Sequence, residues 1–138
     1  MNKSNELNSF RIWNEKDLFD WLVINHYKDL VKANSPISRW DCYSPEQYHR
    51  IELKCRKTHY DSLLIERKKY DAIIKKCDDN LDIPIYINST PNGIYRFNLY
   101  NLNFNWEKKR LRRTTEFEDN SWTEKEIALI EVIDAEVL

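Results

Sequence analysis

Asp41, ten intervening residues and then Glu52-Leu53-Lys54 form a set of side chains able to work on a phosphodiester. In the stretch HRIELKCRK, residues 49 to 57, Ile51, Leu53 and Cys55 alternate with Arg50, Glu52, Lys54 and Arg56, the pattern of a half-buried strand. Ser44-Pro45-Glu46-Gln47 supplies a turn, and a tight antiparallel hairpin centred between Glu46 and Gln47 puts Asp41 across from Glu52. Directly opposed Cβ atoms lie about 4.5–5.5 Å apart, where two carboxylates repel unless a cation sits between them. Oxygen donors so placed suit Mg²⁺, which takes one or two carboxylates and completes its shell with waters and phosphate oxygens. The backbone carbonyl of Leu53 can add a further ligand. Lys54, on the same face as Glu52, can orient an attacking water or stabilise charge on the phosphate. The competing interpretation is an ordinary solvated sheet face with one Glu–Lys contact worth little.

The elements that must position these residues follow from periodicity. Asn14 caps a first helix, with Glu15 and Asp17 in its first turn and Leu18, Phe19, Leu22, Val23, Tyr27, Leu30 and Val31 on one side. That helix should run to Ala33-Asn34, before Ser35-Pro36. Ile37–Tyr43 and Tyr48–Arg56 read as the two strands of the hairpin. Asp61 or Ser62 caps a second helix to about Cys77, with Leu63, Leu64, Tyr70, Ile73, Ile74 and Cys77 apolar. Ile83–Ile87 reads as a buried strand, Ser89–Gly93 as a turn, and Ile94–Leu99 as its antiparallel partner. Residues 101–122 give no firm element, and Glu126–Ile133 reads as a last strand.

Helix, strand, acidic hairpin, helix and strand, from about residue 14 to 100, resemble the PD-(D/E)xK, or restriction-endonuclease-like, nucleases, with small phage-encoded members the nearest in character. Trp40 stands where the motif name has proline. The resemblance implies one α/β domain over residues 1–138, with an αβββαβ-type core about a mixed central sheet flanked by helices, and a C-terminal extension over 101–138. It implies hydrolysis of DNA phosphodiesters with Mg²⁺ or Mn²⁺ by an endonuclease, and junction or repair-intermediate cleavage is one open form. Asp41 and Glu52 then hold metal, Lys54 assists the water, and Glu15, ahead of Asp20, matches an additional helical glutamate. The helix after the Glu-x-Lys strand offers Lys69, ahead of Lys68, for phosphate, although both also fit a plain polar face. The rival is a nuclease-like fold that binds DNA or protein without chemistry.

Composition narrows the field. The one glycine, Gly93, excludes a glycine-rich phosphate loop. A net charge of −1 means that any DNA contact must rest on a local patch. Lys108, Lys109, Arg110, Arg112 and Arg113 form such a run, either a duplex-backbone contact or a solvated loop, with Phe104 and Trp106 close by for stacking or packing. Cys42, Cys55 and Cys77 have neither zinc nor disulfide spacing and read as small buried hydrophobes. His49 and His59 flank the motif strand, and structural roles suit both better than catalysis. No window spans a membrane, so the chain is expected in the cytoplasm of a bacterial or phage-infected cell, with DNA as partner. A homodimer is an open alternative, without an evident dimer stripe.

Overall fold

A computed structural model describes residues 12–34, 41–112 and 121–138. Helix α1 spans Glu15–Asn25 and is followed by β1 (Val31–Lys32), β2 (Cys42–Ser44), β3 (His49–Cys55) and β4 (Ser62–Glu66). Helix α2 spans Arg67–Asn80, and the chain continues through β5 (Ile83–Thr90), β6 (Gly93–Asn98), β7 (Glu107–Arg112), β8 (Trp122–Glu131) and β9 (Glu136–Val137). The larger sheet has the order β1-β2-β3-β5-β6-β9 and the smaller one β4-β8-β7. All neighbours are antiparallel except β3 and β5, which run parallel and are joined through β4 and α2. This is the expected α/β architecture, a mixed central sheet with a helix on each face.

Alternation along β3 sorts the chain into two cores. Ile51 and Leu53 face α1, where Leu18 and Leu22 meet Cys42, Ile85, Ile87 and Ile94. The opposite face carries Tyr86 and Phe97 against Ile73 and Cys77 of α2 and against Leu63, Ile65, Ala128 and Ile130 of the smaller sheet. Glu52 and Lys54 sit on this second face, so α2 and the smaller sheet wall the site. The C-terminal strands are woven into the fold, since β8 pairs with β4 and β9 with β6.

Several boundaries differ from those expected, each for a tertiary reason. Helix α1 ends at Asn25, well before Ala33-Asn34. Beyond it Tyr27 turns into the core with no exposed surface, its hydroxyl 2.8 Å from His49 Nδ1 and 2.9 Å from Arg96 Nη1. Asp29 meanwhile accepts from Ser44 Oγ and Glu46 N at the hairpin turn. These bonds pull the segment out of helical register, and Val31–Lys32 joins the sheet. Residues 62–66 form β4 instead of the first turn of the second helix, because Leu63 and Ile65 are buried where the segment pairs with β8. Strand β7, unread from the sequence, is the outer member of a ribbon with β8. Of the expected strand Ile37–Tyr43, residues 37–40 lie outside the described residues, as do residues 1–11 and Arg113. No helix among the described residues is long and apolar enough to cross a membrane.

Candidate active site

The hairpin sets the central pair. Ser44 pairs with His49, Tyr43 with Arg50 and Cys42 with Ile51, the register centred between Glu46 and Gln47. One step further places Asp41 opposite Glu52. The Asp41 N–H donates to the Ile51 carbonyl at 2.9 Å, and Asp41 Oδ2 accepts from the Leu53 N–H at 2.7 Å. The carboxylate thus takes over the strand's pairing role where β2 stops, and the Leu53 carbonyl projects toward that same edge.

Glu52 is 9% exposed, and its carboxyl is pushed up to about 7 by burial and then by the Asp41 charge. Lys69 Nζ, from the first turns of α2, lies 3.0 Å from Glu52 Oε1 and opposes that shift. Glu15 stands in the first turn of α1, held there by a capping box in which Asn14 and Asp17 satisfy each other's backbone N–H. Burial, and then the Asp41 charge and a side-chain hydrogen bond with Asp41, raise its carboxyl as well. Asp41 therefore sits between Glu15 and Glu52, and the acids come as two pairs sharing one member. Lys54 is depressed by burial and by the neighbouring Arg56 and Lys69.

Glu52, Lys54 and Lys69 open into a cleft of about 430 Å³ whose far wall is the β7–β8 ribbon, with Arg112, Trp122 and Lys125. Arg56 continues the Glu52-Lys54 phase but is held as a clamp. Its Nε lies 2.7 Å from Asn88 Oδ1, and one Nη donates to the Leu64 carbonyl at 2.7 Å and to the Tyr86 hydroxyl at 3.2 Å.

The donor set suits a hard divalent cation. Two facing carboxylates, an ammonium drawn onto one of them and a carbonyl on the same edge are what an oxygen-rich cation site presents. Among the described residues no group of three or more His, Cys, Asp or Glu side chains is gathered as a ready-made cage. That is consistent with an open Mg²⁺-type site completed by water and phosphate oxygens, and argues against an all-protein cage.

Other expected residues separate from this centre. Lys68 is exposed and lines a different hollow, with Arg67 and Asp71 on one side and β8 on the other. Lys108, Lys109 and Arg110 are exposed along β7, outside the cleft, with Lys108 Nζ 3.8 Å from Glu124 Oε1. Phe104 and Trp106 stack on each other at 5.1 Å and pack against Tyr70, which settles them as packing residues. His59 bonds Thr90 Oγ1 at 2.9 Å and lies against Tyr95. The Cys77 thiol is pushed up to about 12 by burial, and Cys42 also rises for the same reason, so neither is poised as a nucleophile. The cleft residues that sequence reasoning missed are Trp122, Lys125 and Glu66, which no local pattern marks. Arg56 was signalled by its two-residue phase from Lys54.

The order of strands and helices is that of a restriction-endonuclease-like fold. A solved structure of similar fold is Hjc, a Holliday junction resolvase from the archaeal hyperthermophile Archaeoglobus fulgidus, to which this chain is similar with a TM-score of 0.53 and 16% identity, over 85% of this chain and 84% of that one. No family model matches the sequence, and no curated protein does.

Proposed function

We propose that the protein is a divalent-metal-dependent deoxyribonuclease that cuts within DNA strands, with branched or otherwise structured DNA as its substrate. The observation that carries this reading is the opposition of Asp41 and Glu52 at the end of β2, with Lys54 one strand step along the same face. The similarity to a junction resolvase supports the choice of substrate class.

Asp41 and Glu52 would hold Mg²⁺ or Mn²⁺, with the Leu53 carbonyl as a further donor. The ion when bound supplies Lewis-acid stabilisation of charge developing on the phosphate. Lys54, short of its full proton affinity, donates to the attacking water or to a non-bridging phosphate oxygen and sets the line of attack. Lys69 neutralises Glu52 when the cleft is empty and is positioned to turn to a phosphate when a cation replaces it. Glu15, hydrogen-bonded to Asp41, would complete the acidic cluster. Arg112 brings positive charge to the cleft's far wall, and Lys108, Lys109 and Arg110, with Arg113 and the exposed Lys68, extend phosphate contact beyond it.

The test is incubation of the protein with duplex, single-stranded, flapped and four-way DNA in Mg²⁺ or Mn²⁺, beside Glu52→Ala and Lys54→Ala. Metal-dependent nicking lost in both variants is the expected result. Nicking that survives both would sink the assignment. The Lys69–Glu52 ion pair specifically favours a second reading, a fold that binds DNA with Lys69 as a permanent cation in place of metal. That reading predicts DNA binding without cleavage of any form and no effect of divalent metal on melting.

A further inference from the structure

Trp122 is 49% exposed, although a ring of that size is ordinarily drawn into a core. It begins β8 directly opposite Arg112 of β7, whose guanidinium carbon stands 5.8 Å from the ring centroid. The pair faces the cleft that holds Glu52, Lys54 and Lys69. The cleft floor between them is apolar, formed by Leu64, Ile65, Tyr86 and Leu111, and the rim is cationic. At about 430 Å³ the space suits a nucleotide-sized ligand and is far too small for a duplex. An apolar floor, an exposed indole and a cationic rim match a single nucleotide whose base has left the stack, since its π-face needs a platform and its phosphate needs charge. A base within a continuous duplex has both faces covered and cannot use the ring. Phe104 and Trp106, the other aromatics near the basic strand, are already taken by Tyr70.

We propose that Trp122, backed by Arg112, is a stacking platform for an unpaired base, so that this cleft selects DNA carrying an unstacked nucleotide beside the phosphate presented to Glu52 and Lys54. The proposal rests on the nuclease reading for its scissile phosphate, while the platform itself is tested by binding alone.

The experiment compares, in EDTA so that no strand is cut, a fully paired duplex with the same duplex carrying one unpaired 2-aminopurine. With an abasic site on either side that base starts unstacked and bright, and stacking on the indole quenches it, so emission should fall as wild-type protein saturates the DNA. Trp122→Leu, which keeps an apolar side chain opposite Arg112, should relieve the quenching. It should also weaken binding of the unpaired form by about five- to a hundredfold more than that of the paired duplex. Trp122→Phe should retain most of the selectivity. Unchanged emission at saturation, or equal loss on both DNAs in Trp122→Leu, overturns the platform. Should Trp122→Leu fail to fold, the wild-type emission decides by itself. Quenching without cleavage of any DNA in Mg²⁺ or Mn²⁺ would support the platform and remove the nuclease reading. Cleavage with unchanged emission would overturn the platform and leave that reading in place.

Discussion

Replacing Glu52 by Gln removes a charge that the fold holds at a cost. The Glu52 carboxyl titrates at about 7 in the folded chain against an ordinary value of 4.5, chiefly because it is buried and secondarily because Asp41 faces it. Converting that difference gives about 3 kcal/mol by which the ionised side chain opposes folding. The sign follows from the raised folded value. Below the ordinary value both states hold the proton and there is no penalty. As pH rises through the folded value the penalty becomes complete. Gln keeps an oxygen for the Lys69 ammonium, which now bonds Glu52 Oε1 at 3.0 Å, and carries no charge to bury.

In EDTA, Glu52→Gln should therefore melt near the wild type at about pH 4 and above it at about pH 8, by about 10 °C for a chain of this length. Excess Mg²⁺ or Mn²⁺ should close the gap from the other side, raising the wild type by about 9 °C at a hundredfold excess over its dissociation constant and leaving the variant where it was. Thermal unfolding followed by circular dichroism at several pH values reads both effects. A variant no more stable than wild type at pH 8, or a gap that is the same at both pH values, would refute the electrostatic account of the site. Metal stabilisation of the variant equal to that of wild type would remove Glu52 from the ligand set.

Three further outcomes test the surrounding structure. The Tyr27 hydroxyl accepts from Arg96 and shares a hydrogen bond with His49 Nδ1, and burial, with the Arg96 charge second, holds His49 down to about 4. Neutral His49 favours folding fully above its ordinary value of 6.5, and that advantage is lost as pH falls from there toward 4. His49→Gln should flatten this part of the stability–pH curve by about 1–2 kcal/mol, discounted for partial exposure, and an unchanged slope would contradict it. Arg56→Met leaves Asn88 Oδ1 without its Arg56 donor and takes one of two donors from the Leu64 carbonyl, the Tyr86 hydroxyl remaining at 3.1 Å, and should cost about 1–3 kcal/mol in denaturant unfolding, with Arg56→Lys recovering little. Asn14→Ala opens the capping box that seats Glu15 and should cost about 1 kcal/mol, and nicking should fall with it only if Glu15 takes part in the site.

What could be read from the chain alone divides along the range of the interactions involved. The hairpin register is local: a Ser-Pro turn and two-residue alternation bring Asp41 across from Glu52 without help from elsewhere. The end of α1 is not local, because Tyr27 leaves the helix for Arg96, which lies far along the chain on β6. Residues 62–66 share apolar positions with the helix that follows, and only their pairing with β8 makes Leu63 and Ile65 a strand. β7 shows no apolar alternation because nearly all of it is exposed, so nothing in KKRLRR announces a strand. The same division applies to the site. Glu52, Lys54 and Arg56 share a phase on β3, and Lys69 is suggested only by the resemblance, which points to a basic side chain on the helix that follows. Trp122 and Lys125 arrive from β8 and carry no local mark.

Net charge misleads for a related reason. A total of −1 counts every solvated carboxylate on the surface and says little about any one cleft. Here Lys54, Arg56, Lys69, Arg112 and Lys125 line the same hollow as Glu52 and Glu66. Both glutamates are already engaged, Glu52 with Lys69 at 3.0 Å and Glu66 with Lys125 at 2.7 Å. A phosphate entering between the two walls meets an excess of positive charge in a setting too enclosed for salt to screen fully. The same enclosure raises Glu52 and depresses Lys54, so the groups that would bind a polyanion and those that would act on it owe their state to one physical cause. DNA affinity that fell with salt but survived neutralisation of the exposed β7 cations would locate that attraction in the cleft. Affinity abolished by removing Lys108, Lys109 and Arg110 alone would place it on the ribbon's outer surface instead.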